Sequence, residues 1–332
     1  MIKCAGHILK ILYSASNNYN ARIALARFLK AINPKHQIKI AAYIKSSPKN
    51  VNIDWTLNCL LNIYKPDVIS LKNDNLNIYF EQVKAFAPDL IISDLEYFTS
   101  YIANVLNIKL WQCSSSLINY ALTKKEKYNL GLFKHYSYLL NRDMQDTQRT
   151  INLIDNSDCN FVLSHYGDTI NPPAISGSFE WIRPYHQVAR PYIPCQHNIV
   201  ASLHNSNKKI INVLKKQEDG VVFMESCAEK YPNLLVKDIG NEEEYYCNLG
   251  NSNLFVCQGQ GSFLADAFYN KKFSLIYPDY DDTESVINSQ LSQKFGLGKI
   301  MTYEDNIKET SILDVLPENN NIKQLHQKIE EI

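Results

Sequence analysis

Leu254-Phe-Val-Cys-Gln-Gly-Gln-Gly-Ser-Phe-Leu-Ala-Asp266 is the stretch whose reading decides the fold. Its apolar start, as far as Cys257, reads as a buried strand. A loop with glycines at 259 and 261 follows, and the run Ser262–Tyr269 then has the spacing of a helix. The first turn of a helix leaves N–H groups unpaired, and the helix dipole adds about half a positive charge there. Gly259 and Gly261 would let a phosphate come close to that backbone. The same glycines would serve an ordinary strand–helix connection, because a lone Gly-x-Gly is a weak signal.

Downstream, Phe273–Tyr277 is a strand stopped by Pro278, and the acidic loop Asp279–Glu284 leads into a helix over Ser285–Phe295. Carboxylates repel a neighbouring phosphate, but they accept hydrogen bonds from ribose or sugar hydroxyls. The alternative is a solvated acidic turn that caps the helix. Upstream, Ile199–Leu203, Val221–Met224 and Leu234–Lys237 read as strands, with helices over Lys208–Lys216 and Glu242–Leu249.

The first half repeats the alternation. Strands are expected at Ile8–Tyr13, Ile38–Ile44, Val68–Leu71, Leu90–Ser93, Leu110–Cys113 and Phe161–Leu163. Helices are expected at Ala21–Ile32, Leu76–Phe86 and Tyr97–Leu106, then a long aromatic helical region from Tyr120 to Asp155. An amphipathic helix over Ile322–Ile332 closes the chain. Such alternation predicts an α/β fold of parallel, doubly wound sheets with ligands at the carboxyl ends of the strands. A chain of 332 residues exceeds one hydrophobic core. The proline-dense stretch from Pro172 to Pro194 divides it into residues 1–185 and 186–332.

Basic and acidic residues balance at 34 each, which argues against a nucleic-acid partner. No two of the eight cysteines have zinc-ribbon spacing, so they read as buried thiols of a reducing compartment. No signal-peptide run opens the sequence and no stretch has the ~20 apolar residues of a membrane span, so a cytoplasmic protein is expected. The basic, aromatic segment Lys124–Leu140 suits a membrane surface on the inner face or an acceptor. It suits equally an aromatic helix packed on the first half.

Asp94 and Glu96 follow the apolar run Leu90–Ser93, at a strand's carboxyl end. Either would serve as a general base if burial raised its pKa toward neutrality, and Asp94 is also placed to cap the next helix. Arg183, Tyr185, His186 and His165 are further candidates to line a cleft.

Residues 253–300 resemble the donor-binding half of GT-B glycosyltransferases of the MurG and glycosyltransferase 28 type, above all the MurG-like prokaryotic group. The resemblance implies two Rossmann-like domains facing across a cleft. It implies that Gly259, Gln260, Gly261 and Ser262 hold the donor diphosphate. Asp266 would accept from ribose hydroxyls, Glu284 and Ser285 would contact the donor sugar, and Asn288 would join them one turn on. Ile239 sits where the base-binding backbone passes, and Asn205 lies in a loop where donors meet backbone amides.

The segment Ala87-Pro-Asp-Leu-Ile-Ile-Ser-Asp-Leu-Glu96 resembles a segment of the same group. The first loop, Ser14–Arg22, departs from the pattern: it has no glycine, and Asn20 stands where such enzymes carry a histidine. The implied activity is inverting, metal-independent transfer from a UDP-sugar to a hydroxyl on a glycan or lipid-linked acceptor, with no cofactor. The rivals are a non-hydrolysing UDP-sugar 2-epimerase and a non-catalytic subunit that binds a nucleotide sugar or a partner chain.

Overall fold

The computed structural model describes residues 8–15, 19–43, 67–71, 76–132, 144–185, 197–203, 207–217, 220–224, 234–238, 242–304 and 324–332. Among these residues two parallel sheets form. The first contains β1 (Lys10–Ala15), β2 (Gln37–Tyr43), β3 (Asp67–Leu71), β4 (Leu90–Asp94), β5 (Lys109–Ser114), β6 (Cys159–Leu163) and β7 (Glu180–Ile182). Its order is β3-β2-β1-β4-β5-β6-β7. The second contains β8 (Ile199–Leu203), β9 (Gly220–Met224), β10 (Leu235–Asp238), β11 (Leu254–Cys257), β12 (Ser274–Ile276) and β13 (Gly298–Ile300). Its order is β10-β9-β8-β11-β12-β13.

Both orders reverse direction at one point, between β1 and β4 and between β8 and β11. In doubly wound sheets a crevice opens there, at the carboxyl ends of the strands. Residues Ser14↔Ser93 and Ala15↔Asp94 pair at the first reversal, and Cys257↔Ser202 at the second. The central strands are apolar throughout because helices cover both faces. Leu90, Ile91 and Ile92 are each 0% exposed.

The first half carries α1 (Tyr19–Ala31), α2 (Leu76–Phe86), α3 (Tyr97–Leu106), α4 (Ile118–Ala121), α5 (Lys124–Asn129) and α6 (Met144–Asp155). The second carries α7 (Lys208–Leu214), α8 (Glu242–Asn251), α9 (Gly261–Tyr269) and α10 (Thr283–Lys294). No helix among the described residues is long and apolar enough to cross a membrane. The aromatic stretch at 133–143 lies outside the described residues. So does 186–196, next to the expected boundary. The change of sheet falls between Ile182 and Ile199.

Two findings differ from the sequence expectation. The strands β7 and β13 have three residues each, too few for a periodic signal, and both lie at sheet edges. The tail helix α11 (Leu325–Ile329) leaves the second half, which was expected to run to 332. Leu325 and Ile329 join Ile11, Tyr13 and Phe28 in the core of the first sheet. Lys35 and His36 both reach Glu330, and Lys328 reaches Glu180.

The halves also share a core. Val286, Ile287 and Leu291 of α10 pack with Leu117, Ile118, Ala121 and Tyr166 of the first half. Helix α10 is thus buried from Glu284 to Ser289, with Gln293 and Lys294 exposed at its end, and its buried serines are hydrogen-bonded. Ser289 Oγ donates to the Ser285 carbonyl at 2.7 Å, and Ser292 Oγ meets the Tyr166 hydroxyl at 2.8 Å.

Candidate active site

The loop after β11 turns sharply at Gly259, whose φ is +90°. A Cβ there would lie 2.7 Å from the Ser285 carbonyl and 2.8 Å from Ser289 Oγ. At Gly261 a Cβ would meet Glu284 Oε1 at 3.1 Å and Ser115 Cβ at 3.4 Å. Both glycines therefore admit the close approach of α10 and of the first half. Gln258 and Gln260 are buried, while Ser262 is part-exposed.

The expected sugar-side residues hold this packing together. Ser285 Oγ donates to the Gln258 carbonyl and accepts from Asp279 N–H at 2.8 Å. Glu284 accepts from Gly261 N–H at 3.3 Å and from Ser116 Oγ at 2.6 Å. Its carboxylate thus sits on the first amide of α9, where an anion was expected. Burial lifts its pKa, and burial lifts that of Asp282 too, with the nearby Glu284 charge adding to the rise. The carbonyl of Asn288 accepts from the Tyr166 hydroxyl at 2.7 Å.

Asp266, expected to accept from ribose hydroxyls, is bonded here by groups of the protein. It is 0% exposed, and Arg27 of α1 binds its Oδ2 at 2.8 Å. The Tyr246 hydroxyl donates to Oδ1 at 3.0 Å, and that of Tyr245 lies 3.4 Å from Oδ2. Its carboxylate is held between α1 and α8. In this arrangement the group meets protein donors in place of ribose hydroxyls.

The two carboxylates after β4 separate cleanly. Glu96, not Asp94, caps α3: its side chain accepts from Phe98 N–H at 3.0 Å and Thr99 N–H at 2.7 Å. Ser14 Oγ adds a third donor at 3.2 Å. The lone pairs of Glu96, a candidate base in the sequence, serve the helix end and β1 in this arrangement. Asp94 ends β4 and lines a cavity between the halves. Burial pushes its pKa up to about 6, against the opposing hydrogen bond from Ser114.

That cavity is bounded by one face of α1 (Ala24, Arg27, Phe28 and Ala31), by Tyr13 and Asp94, and by Gly261 and Ser262. Arg183, Tyr185 and the tail residues Leu325 and His326 close it. Its room is about 60 Å³, below the roughly 300–1,000 Å³ usual for small-molecule sites. A ligand the size of a nucleotide sugar would fit there only if some of these contacts moved.

Arg183 and Tyr185, expected near a cleft, are in this lining. Arg183 binds Asp168 through two nitrogens, and Asp168 also accepts from the Tyr269 hydroxyl of α9 at 2.5 Å. His165 is in the shared core instead. Its ring lies 4.1 Å from that of Tyr166 and 5.1 Å from that of Phe268, and burial depresses its pKa to about 3. Asn20 falls in the first turn of α1, and its side chain lies outside the described residues, as do Asn205, Ile239 and His186. Sequence reasoning missed Arg27, Tyr13 and the serines at 114–116. A signal existed for Arg27: positions 24, 27, 28 and 31 share one helix face.

No protein-family model and no curated protein matches the sequence. Solved structures do match. The glycotransferase of kitacinnamycin superposes with a TM-score of 0.55 at 13% identity, over 90% of this chain and 87% of that one. The Acinetobacter baumannii MurG gives 0.54 at 12%, over 90% and 88%. A Listeria monocytogenes protein assigned as a UDP-N-acetylglucosamine 2-epimerase gives 0.51 at 10%, over 82% and 80%. The chain has the GT-B fold. Transferases and an epimerase share that architecture, so it leaves the reaction to be argued from the site.

Proposed function

We propose that this chain is a glycosyltransferase that moves a sugar from a UDP-linked donor to an acceptor hydroxyl, with inversion and without a metal ion. The observation that carries the reading is the position of Asp94. It is a buried carboxylate at the reversal point of one sheet, in a cavity that also reaches Gly261 and Ser262 at the reversal point of the other. In the proposed step the acceptor oxygen attacks the anomeric carbon as the bond to the diphosphate breaks. The electron pair leaves on the diphosphate oxygen, and the acceptor proton passes to Asp94. Amides at the start of α9 stabilise the departing charge. Residues 1–185, with the tail helix, form the acceptor side, and the second sheet with its helices forms the donor side.

A base with a pKa of about 6 suits the task, since it is ionised at neutral pH yet basic enough to take a proton. Activity should fall as the pH drops below about 6, because Asp94 must be unprotonated. The test is UDP release from a panel of UDP-sugars with hydroxyl acceptors. Asp94→Asn should lower kcat/KM by about a hundredfold to ten-thousandfold. Equal turnover in the variant would sink the proposal.

One observation favours a second reading, a non-catalytic protein that binds a nucleotide sugar or a partner. Glu284 occupies the first amide of α9, and Arg27 holds Asp266. UDP that binds tightly with no transfer to any acceptor would select this reading.

A further inference from the structure

We infer that Arg27 is a phosphate-binding residue of the donor site, held on Asp266 until a diphosphate arrives. The inference rests on the donor-site reading above and adds to it a cation supplied by the opposite half. The start of α9 is a poor anion site by itself in this chain, because the Glu284 carboxylate already sits on Gly261 N–H. A phosphate brought there would face that carboxylate at close range. Binding therefore needs a cation that comes with it.

The cations around the cavity differ. Among the described residues that line it there is no lysine. His326 is held toward its neutral form by burial. Arg183 is fixed on Asp168 through two nitrogens, and Asp168 is tied in turn to Tyr269. Arg27 meets Asp266 through Nη2 at 2.8 Å, and its Nη1 donates to the Tyr185 carbonyl at 3.5 Å, so both guanidinium ends are engaged at the cavity wall. Its guanidinium stands 5.8 Å from the centre of the Tyr246 ring.

Geometry links this arginine to the loop. Asp266 and Ser262 are four residues apart, so they share one face of α9, a single turn from each other. Arg27, Gly261 and Ser262 line the same cavity. A change of rotamer would carry the guanidinium about one helical pitch, from Asp266 to the amino end of α9, a span of ~5.4 Å. There it would offset the Glu284 charge and bind phosphate oxygens with paired N–H groups. The loop itself is incomplete as it stands: the side-chain oxygen of Gln260, which caps α9, is buried with no hydrogen-bond partner.

The parking arrangement makes an unusual demand. Removing the arginine should weaken diphosphate binding, whereas loosening its hold on Asp266 should strengthen it. Calorimetric titrations of the full chain with UDP, uridine and inorganic pyrophosphate separate these effects. Arg27→Ala should weaken UDP and pyrophosphate at least about tenfold and leave uridine unchanged. Asp266→Asn should tighten UDP severalfold. It also protects the test if Arg27→Ala fails to fold, since it keeps the arginine.

Besides a failure of both anions to bind, two results overturn the inference. One is UDP affinity unchanged in a folded Arg27→Ala protein. The other is UDP affinity lowered by Asp266→Asn, as expected if Asp266 itself contacts the donor. Pyrophosphate that binds in an Arg27-dependent way, with UDP no tighter than pyrophosphate, would keep the inference while removing the UDP-sugar reading. No binding of either anion would remove the inference itself.

Discussion

Asp94 and Glu284 invite comparison. Both are buried carboxylates near the meeting of the two halves, and burial raises the pKa of each. Each is reached by a serine of the 114–116 segment: Ser114 bonds Asp94 and Ser116 bonds Glu284. They differ in what lies beyond the serine. Asp94 faces a cavity. Glu284 faces the Gly261 amide and belongs to α10, which is packed between the halves. Burial alone does not make a carboxylate useful for catalysis. It becomes useful where its lone pairs look into space that a substrate can enter.

The sharpest way to break this comparison is to neutralise each side. The large loss of turnover expected for Asp94→Asn should have no counterpart at Glu96→Ala. That change should cost about 1 kcal/mol of stability through the lost helix cap, with turnover within about threefold of the parent. Parallel kinetics and urea melts would check it. Comparable losses of turnover at both positions would return Glu96 to the site.

The glycines give the next largest effect. Gly259→Ala would place a Cβ at positive φ, 2.7 Å from the Ser285 carbonyl. A loss of about 3 kcal/mol or more is expected, from strain and overpacking together. Gly261→Ala meets the end of the flexible Glu284 side chain at 3.1 Å, and should cost about 1 kcal/mol. Thermal unfolding of both variants would show whether the loop is shaped by α10. Equal losses would count against that view.

A smaller effect comes from Ser116→Ala, which deprives the buried Glu284 of a donor 2.6 Å away. About 1–2 kcal/mol should be lost, and the loss should shrink at low pH, where Glu284 is protonated and needs the donor less. The smallest effect at neutral pH belongs to His165. Its folded pKa of about 3 lies below the ordinary value of 6.5. The unfolded chain therefore binds the proton first, and stability drains as pH falls from 6.5 toward 3. His165→Phe should reduce the difference between melts at pH 7 and pH 4.5. An unchanged difference would mean that other groups set the acid sensitivity.

The fold was largely legible in the sequence because parallel strands covered on both faces are continuous apolar runs. Leu76–Phe86, Tyr97–Leu106 and Ile199–Leu203 have their expected bounds. What escaped were the short edge strands β7 and β13 and the destination of the tail helix, since amphipathicity tells that a face is buried and not against what. The site was legible only in part. The change of direction at Gly259 followed from the glycine, but its cause, the carbonyl of Ser285, is 26 residues on. Glu96 and Asp94 look alike in the sequence. Only the ψ of 120° at Glu96 and the start of α3 show which one turns back to cap. The partner of Asp266 lies 239 residues away, on α1, and no local pattern announces such a pair.

The tail helix has a consequence for the order of events during synthesis. Leu325 and Ile329 complete the packing around Ile11, Tyr13 and Phe28. The first sheet can assemble its strands as they emerge from the ribosome, at roughly 5–20 residues per second. It cannot seal that face until residues 325–329 have been made. For that interval an apolar groove stands open beside α1, in a half whose cavity wall the same helix later supplies. The strands of the second sheet are synthesised inside that wait. Closure of the cleft wall therefore waits until the strands of both sheets have been synthesised.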